Sequence, residues 1–222
     1  SAASDVYKRQ QEMLNVPLDE SRAFFRKNDF IPVRELDKKV HVNYYIAADL
    51  AISGKQRSDY SVFCVGGMDE NSILQIRNVV RDRMDGIQIV ETILSLNKIY
   101  KPLVFALEDG QITKSFLPFL KEEMLKRNNI VPLVLIRPTQ DEATRAQGIQ
   151  GRMRIGGVKF DTEADWYAAF EDELLKFPRD KHDDQVDAFA HLGSIVDRMS
   201  AADTKEELEE EEYQQALHDL SL

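Results

Sequence analysis

The sequence predicts an α/β fold: a five-stranded mixed sheet, strand order 3-2-1-4-5, flanked by helices on both faces. Three observations point there. Three strand-like runs follow one another between residues 44 and 80 with short polar connections, the mark of an antiparallel meander. From Gly86 onward, helical and strand-like periodicities alternate, which requires right-handed crossovers and parallel pairing. The chain has 222 residues, 43% apolar and 31% charged, enough for one full-sized globular domain with peripheral segments.

Each element follows in order. Residues 44–50, YYIAADL, read as a strand ending in an acid, followed by the loop SGKQRSD. Residues 60–65 form a second strand, bounded by Gly66 and Gly67. Residues 73–80 form a third, after the turn-forming MDENS. In residues 86–100, Ile87, Val90, Ile93, Leu94 and Leu96 recur at helical spacing. Residues 103–107 are an apolar, buried-type strand ending at Glu108. A helix over 116–125 and a second buried strand over 131–136 come next. Residues 163–177 and 185–199 read as amphipathic helices, with Thr162 and Asp183 as caps. No internal repeat is visible.

Composition narrows the function classes. No apolar run approaches the roughly 20 residues of a membrane-spanning helix. The single cysteine, Cys64, excludes an intramolecular disulfide and a zinc site of several thiolates. Within SVFCVGG it reads as a small buried hydrophobe, in keeping with a reducing cytosol. Net charge is −10, from 39 acids and 29 bases, which by itself argues against nucleic acid. The distribution weakens that objection. Residues 200–222 carry eight acids and one lysine, leaving −3 over residues 1–199. That acidic tail reads as a solvated helix or a disordered segment. Residues 1–10, SAASDVYKRQ, resemble a translated sequencing adapter and are set aside as a scar; an ordinary polar arm is the alternative.

Acids fall where the topology converges. In the order 3-2-1-4-5 the first and fourth strands are neighbours, and the functional edge of such a sheet lies at their carboxyl ends. Asp49 ends the first strand and Glu108 the fourth, each after an apolar run. Two partly desolvated carboxylates side by side repel unless a cation neutralises them. His182-Asp183-Asp184-Gln185-Val186-Asp187 opens the last helix. Asp184 and Asp187 at i, i+3, or Asp183 and Asp187 at i, i+4, share one face of its first turn. Oxygen donors without thiolate suit Mg²⁺ or Mn²⁺. Singly, Asp49 is a turn former, Glu108-Asp109-Gly110 a turn, and Asp183 and Asp184 helix N-terminal acids. The coincidence of three acidic stations on one edge favours a metal site.

These residues resemble the ribonuclease H-like superfamily, and within it the nuclease domain of the large terminase subunit of tailed bacteriophages. The likeness covers most of residues 11–199. It runs from Asp141-Glu142-Ala143-Thr144-Arg145-Ala146 through Gly157-Val158-Lys159-Phe160, a strand in that family. It continues through Glu173-Leu174-Leu175-Lys176-Phe177-Pro178 to His182-Asp183-Asp184-Gln185-Val186-Asp187-Ala188, its most specific part. Asp49-Leu50-Ala51 with Ser58-Asp59-Tyr60-Ser61 is similar to the family's first hairpin, and residues 11–25 to its exit from a motor domain. One departure is visible: Asp141 stands where the family often has Lys.

The resemblance implies a metal-dependent endonuclease cutting concatemeric double-stranded viral DNA in the bacterial cytoplasm, as part of virion assembly. It implies a nuclease domain over residues 41–199 and residues 11–40 as a linker remnant from an upstream ATPase domain. Portal protein and small terminase subunit would be its partners, with no membrane. The chain carries no G-x-x-x-x-G-K-[ST] loop, so no ATP hydrolysis is expected of it. Two ions, Mg²⁺ or Mn²⁺, would be shared by Asp49, with Glu108 and the Asp183/Asp184/Asp187 group completing their shells. Asp49, Glu108 and Asp184 are the core set, Asp187 next and Asp183 last. His182 and His191 are expected to orient a carboxylate or pack on the helix. Lys55, Arg57, Arg145, Arg152, Arg154 and Lys159 are phosphate-contact candidates, the alternative being solvated surface charge. A Holliday-junction resolvase-like nuclease and a non-catalytic docking module of the packaging motor are the competing functions.

Overall fold

The computed structural model describes residues 23–51, 60–137, 141–180 and 182–197. The expected adapter scar, the acidic tail, Lys55 and Arg57 lie outside the described residues.

Strands β2 (Val42–Asp49), β3 (Ser61–Asp69) and β4 (Leu74–Asp82) form the antiparallel meander. The β3–β4 turn is held by Asp69, whose Oδ1 accepts from the amides of Asn71 and Ile73, both at 2.9 Å. Strand β5 (Val104–Glu108) pairs parallel with β2, and β6 (Leu133–Ile136) parallel with β5. These five strands stand in the expected order. The sheet has two more, β7 (Val158–Phe160) parallel to β4 and β1 (Ile31–Pro32) parallel to β7. The full order is β1-β7-β4-β3-β2-β5-β6. Strands of two and three residues are too short to show alternation, so periodicity alone yields five; residues 157–160 are expected as a strand only through the family resemblance.

Among the described residues, five α-helices cover the two faces: α1 (Gly86–Tyr100), α2 (Gln111–Lys126), α3 (Glu142–Arg154), α4 (Tyr167–Lys176) and α5 (Asp184–Val196). Side chains alternate across a strand. Ile46, Ala48, Phe105 and Leu107 pack under α1 and α2 with Ile89, Ile93, Phe116 and Leu120. Tyr45, Ala47 and Ala106 face the other way, against Ile149, Phe170, Val186 and Phe189 of α3, α4 and α5. Helix α5 is buried at 11 of its 13 residues, as befits a helix apolar nearly all round. It lies across β2 and β3, with α3 and α4 beside it. Cys64 is fully buried, as expected.

Several expectations need correction. Gly66 and Gly67 do not end β3; they lie inside it, at a register shift between Val65 and Gly66. A Cβ on Gly66 would meet Leu192 Cδ2 of α5 at 2.9 Å, so the glycine lets helix and sheet approach. The 131–136 strand is a sheet edge rather than a buried strand, with Val134 and Leu135 exposed. The 163–177 helix begins only at Tyr167, after Trp166 in place of the expected Thr162 cap. Asp183 occupies the α5 N-cap position without a side-chain capping bond. Residues 24–33, inside the segment expected to be a linker, supply buried Phe25 and Phe30 and strand β1. Helix α3 was not expected as an element.

Candidate active site

The register of the sheet assembles the site. Parallel pairing of β2 with β5 matches Ala48 with Leu107, so the next residues, Asp49 and Glu108, emerge side by side. Alternation turns both toward the face covered by α5, because Ala47 and Ala106, two residues back, pack there. On α5, Asp184, Asp187 and His191 are spaced i, i+3, i+7, one stripe of the helix. One donor atom from each of Asp49, Glu108 and His191 lies within 4.8 Å of the others. Glu108 Oε2 and His191 Nε2 are 3.7 Å apart. A cleft of about 280 Å³ opens beside them, lined by Asp49, Leu50, Glu108, Gly110, Gln111, Ile112 and Thr113.

Electrostatics mark the same spot. Burial, and then the negative charges of Asp187, Asp184, Glu108 and Asp183, push the Asp49 carboxyl up to about 8. Burial and the Arg145 charge, against Asp187, pull His191 down to about 4, so its imidazole is neutral at pH 7. His191 is 2% exposed, and its Nε2 has no hydrogen-bond partner. A buried nitrogen without a partner beside two carboxylates fits a cation site. Asp109 contrasts with Glu108. Arg137 Nε (2.6 Å) and Lys114 Nζ (3.0 Å) hold its carboxylate, and it takes no part in the cluster.

The first turn of α5 is fixed from outside. The buried Glu173 of α4 accepts from the Gln185 amide through Oε1 and from Gln185 Nε2 through Oε2, both at 2.6 Å. It thereby satisfies an N–H that a helix start leaves open, and it positions buried Asp184. Arg81 lies 3.6 Å from the same carboxylate and stacks on Tyr60, 3.8 Å from the ring centroid.

The sequence-derived candidates divide. Asp49 and Glu108 come together with His191, which sequence reasoning left as a supporting or packing residue. The available signal was its place one turn beyond Asp187 on the acidic stripe. Asp184 is buried at the start of α5. Asp187 is ion-paired with Arg145 of α3, which makes that arginine part of the site. His182 is exposed, edge-on to Tyr60. Arg152 bonds the Ser72 carbonyl (2.8 Å) and Asp197 (3.1 Å), and Arg154 is exposed. Lys159, on β7 at the far side of the sheet from β5, is held 2.6 Å from Asp37. Its ammonium is a structural tie there.

Fold and acidic edge together define a ribonuclease H-like domain. A family model described as the terminase RNaseH-like domain matches residues 46–193, and the chain belongs to that family. Among solved structures it is similar to the large terminase nuclease of thermophilic phage G20c with bound magnesium. That match has 18% identity over 74% of this chain and 84% of that one, with a TM-score of 0.51. It is similar to the Thermus phage P74-26 large terminase nuclease domain at 17% identity, over 78% and 94%, with a TM-score of 0.52. A large terminase from another thermophilic bacteriophage matches at 13% identity over 78% of this chain but 44% of that one, with a TM-score of 0.56. At these identities the likeness is one of fold. No curated protein matches the chain.

Proposed function

We propose that this domain is a divalent-metal-dependent endonuclease that cuts double-stranded DNA, in the setting of a phage terminase large subunit. In that setting it severs concatemeric genomes in the host cytoplasm, alongside an ATPase domain, the portal and the small subunit. The convergence of Asp49, Glu108 and His191 at the carboxyl ends of two parallel strands carries this reading. Family membership gives it direction, and structures of the G20c nuclease with magnesium, cobalt and zinc agree with a cation-binding edge.

The chain's own residues do the following. Asp49 and Glu108 present carboxylate oxygens on rigid strands, and α5 brings Asp184 and His191 over them. Two ions, Mg²⁺ or Mn²⁺, when bound, would polarise the scissile phosphate and lower the pKa of a coordinated water. Arg145 offsets the charge of Asp187 beside an otherwise anionic site that has to admit a phosphodiester. No side chain acts as nucleophile.

Purified protein with Mn²⁺ or Mg²⁺ should nick and linearise plasmid DNA without sequence preference, and EDTA should abolish the reaction. Cleavage that persists in EDTA overturns the proposal.

A further inference from the structure

Among the described residues, the acidic cluster at the ends of β2 and β5 contains one nitrogen donor. His191 stands on α5 one turn beyond Asp187, and its imidazole is 2% exposed. Its Nε2 has no hydrogen-bond partner and lies 3.7 Å from Glu108 Oε2, beyond hydrogen-bond reach. With one oxygen each from Asp49 and Glu108 it closes a triangle of donors within 4.8 Å. Asp187, on the same stripe, is turned to Arg145 instead.

We propose that His191 Nε2 is a direct ligand of the ion held by Asp49 and Glu108, so that the site prefers Mn²⁺ or Co²⁺ to Mg²⁺. This rests on the metal-dependent reading above and deepens it. Packing alone does not account for the imidazole. An apolar side chain would fill the same space without burying a polar atom that lacks a partner. A structural histidine normally directs both nitrogens to partners, whereas this Nε2 points among carboxylates. The choice of ion follows from donor chemistry. Mg²⁺ is bound almost wholly by oxygen, while imidazole suits later divalent metals.

The test needs no DNA. Calorimetry on the wild-type domain should show Mn²⁺ binding at least about tenfold tighter than Mg²⁺. His191→Gln should lose about tenfold or more in Mn²⁺ affinity with a smaller change for Mg²⁺. In ¹⁵N-histidine-labelled wild-type protein, Zn²⁺ should move the His191 Nε2 resonance and leave that of exposed His182 in place. This measurement decides the matter even if the variant fails to fold. Metal binding with an unmoved His191 resonance, as for an imidazole that merely neighbours Glu108, overturns the inference and leaves the nuclease reading standing. Metal binding through His191 with no plasmid cleavage supports the inference and defeats the nuclease reading. Absence of metal binding overturns both.

Discussion

Asp49 carries the largest electrostatic strain in the site, because its carboxyl is held near 8 by burial and by four neighbouring acids. Asp49→Asn should abolish metal-dependent plasmid cleavage. Its metal-free thermal stability should stay level or rise, since an amide is neutral without the proton that the buried carboxyl must take up on folding; a large drop in melting temperature would mean that the side chain holds the fold instead. The pH dependence follows with its sign. The folded protein keeps a proton on Asp49 up to about pH 8, whereas an unfolded chain releases it near 4. The unfolded state therefore binds fewer protons across that window, and this contribution lowers stability as pH rises. His191 works oppositely. Neutral in the fold down to about 4 and near 6.5 when unfolded, it lowers stability as pH falls below 6.5. Comparing the two proteins in EDTA between pH 6.5 and 8 subtracts the His191 contribution: the wild type should weaken relative to Asp49→Asn as pH rises. Asp49 and Glu108 were legible in the sequence because each ends an apolar run. The Asp187–Arg145 pair was not, since it joins residues 42 positions apart. Nor was the role of His191, set in the apolar run AFAHLG, where only the observed packing shows which way the imidazole faces.

At the level of elements, α5 is placed by close approach on two sides. A Cβ on Gly193 would lie 2.8 Å from Ile149 Cβ of α3, a branch point that cannot swing away. Gly193→Ala gains helix propensity but forces α3 and α5 apart, for a net loss of about 1–3 kcal/mol. Combined with Ile149→Gly, which removes the opposing Cβ, the loss should be smaller than the sum of the two single losses, a coupling that chemical denaturation of the three variants would reveal. Glu173→Ala removes the acceptor from the Gln185 amide and should cost about 1–3 kcal/mol. It should also weaken Mn²⁺ binding, because the turn that carries Asp184 is no longer pinned; calorimetry showing unchanged affinity would confine Glu173 to stability. Long periodic elements such as α1 were readable to the residue. Helix α3 was not, because Ala146, Ile149 and Met153 make a narrow apolar stripe in a polar segment. Gly66 and Gly67 misled for a physical reason: glycine marks a turn and a crowded strand equally well.

For the whole molecule, a ligand that binds only the folded state stabilises it. A divalent ion at about a hundred times its dissociation constant adds about 2.7 kcal/mol, or about 5–10 °C in melting temperature for a domain of this size. Calorimetric scans should show that rise with Mn²⁺, its reversal by EDTA and its absence in Asp49→Asn. The central sheet order was readable from the alternation of elements, but its outer strands depend on contacts from residues 31–33 to 158–160 that no local pattern announces. That distant pairing belongs to an aromatic chain of contact. Phe24 packs edge-on against Phe177 with ring centroids 5.0 Å apart, and Phe25 lies 6.4 Å from Phe189 on α5. The Phe24 carbonyl is also tied to Gln150 of α3. Phe189 precedes His191 by two residues. Tension applied at residue 23 therefore has a short load path into the helix that completes the acidic edge. Pulling there in a force spectrometer should disturb cation binding before the sheet yields, making the domain mechanically as well as chemically addressable.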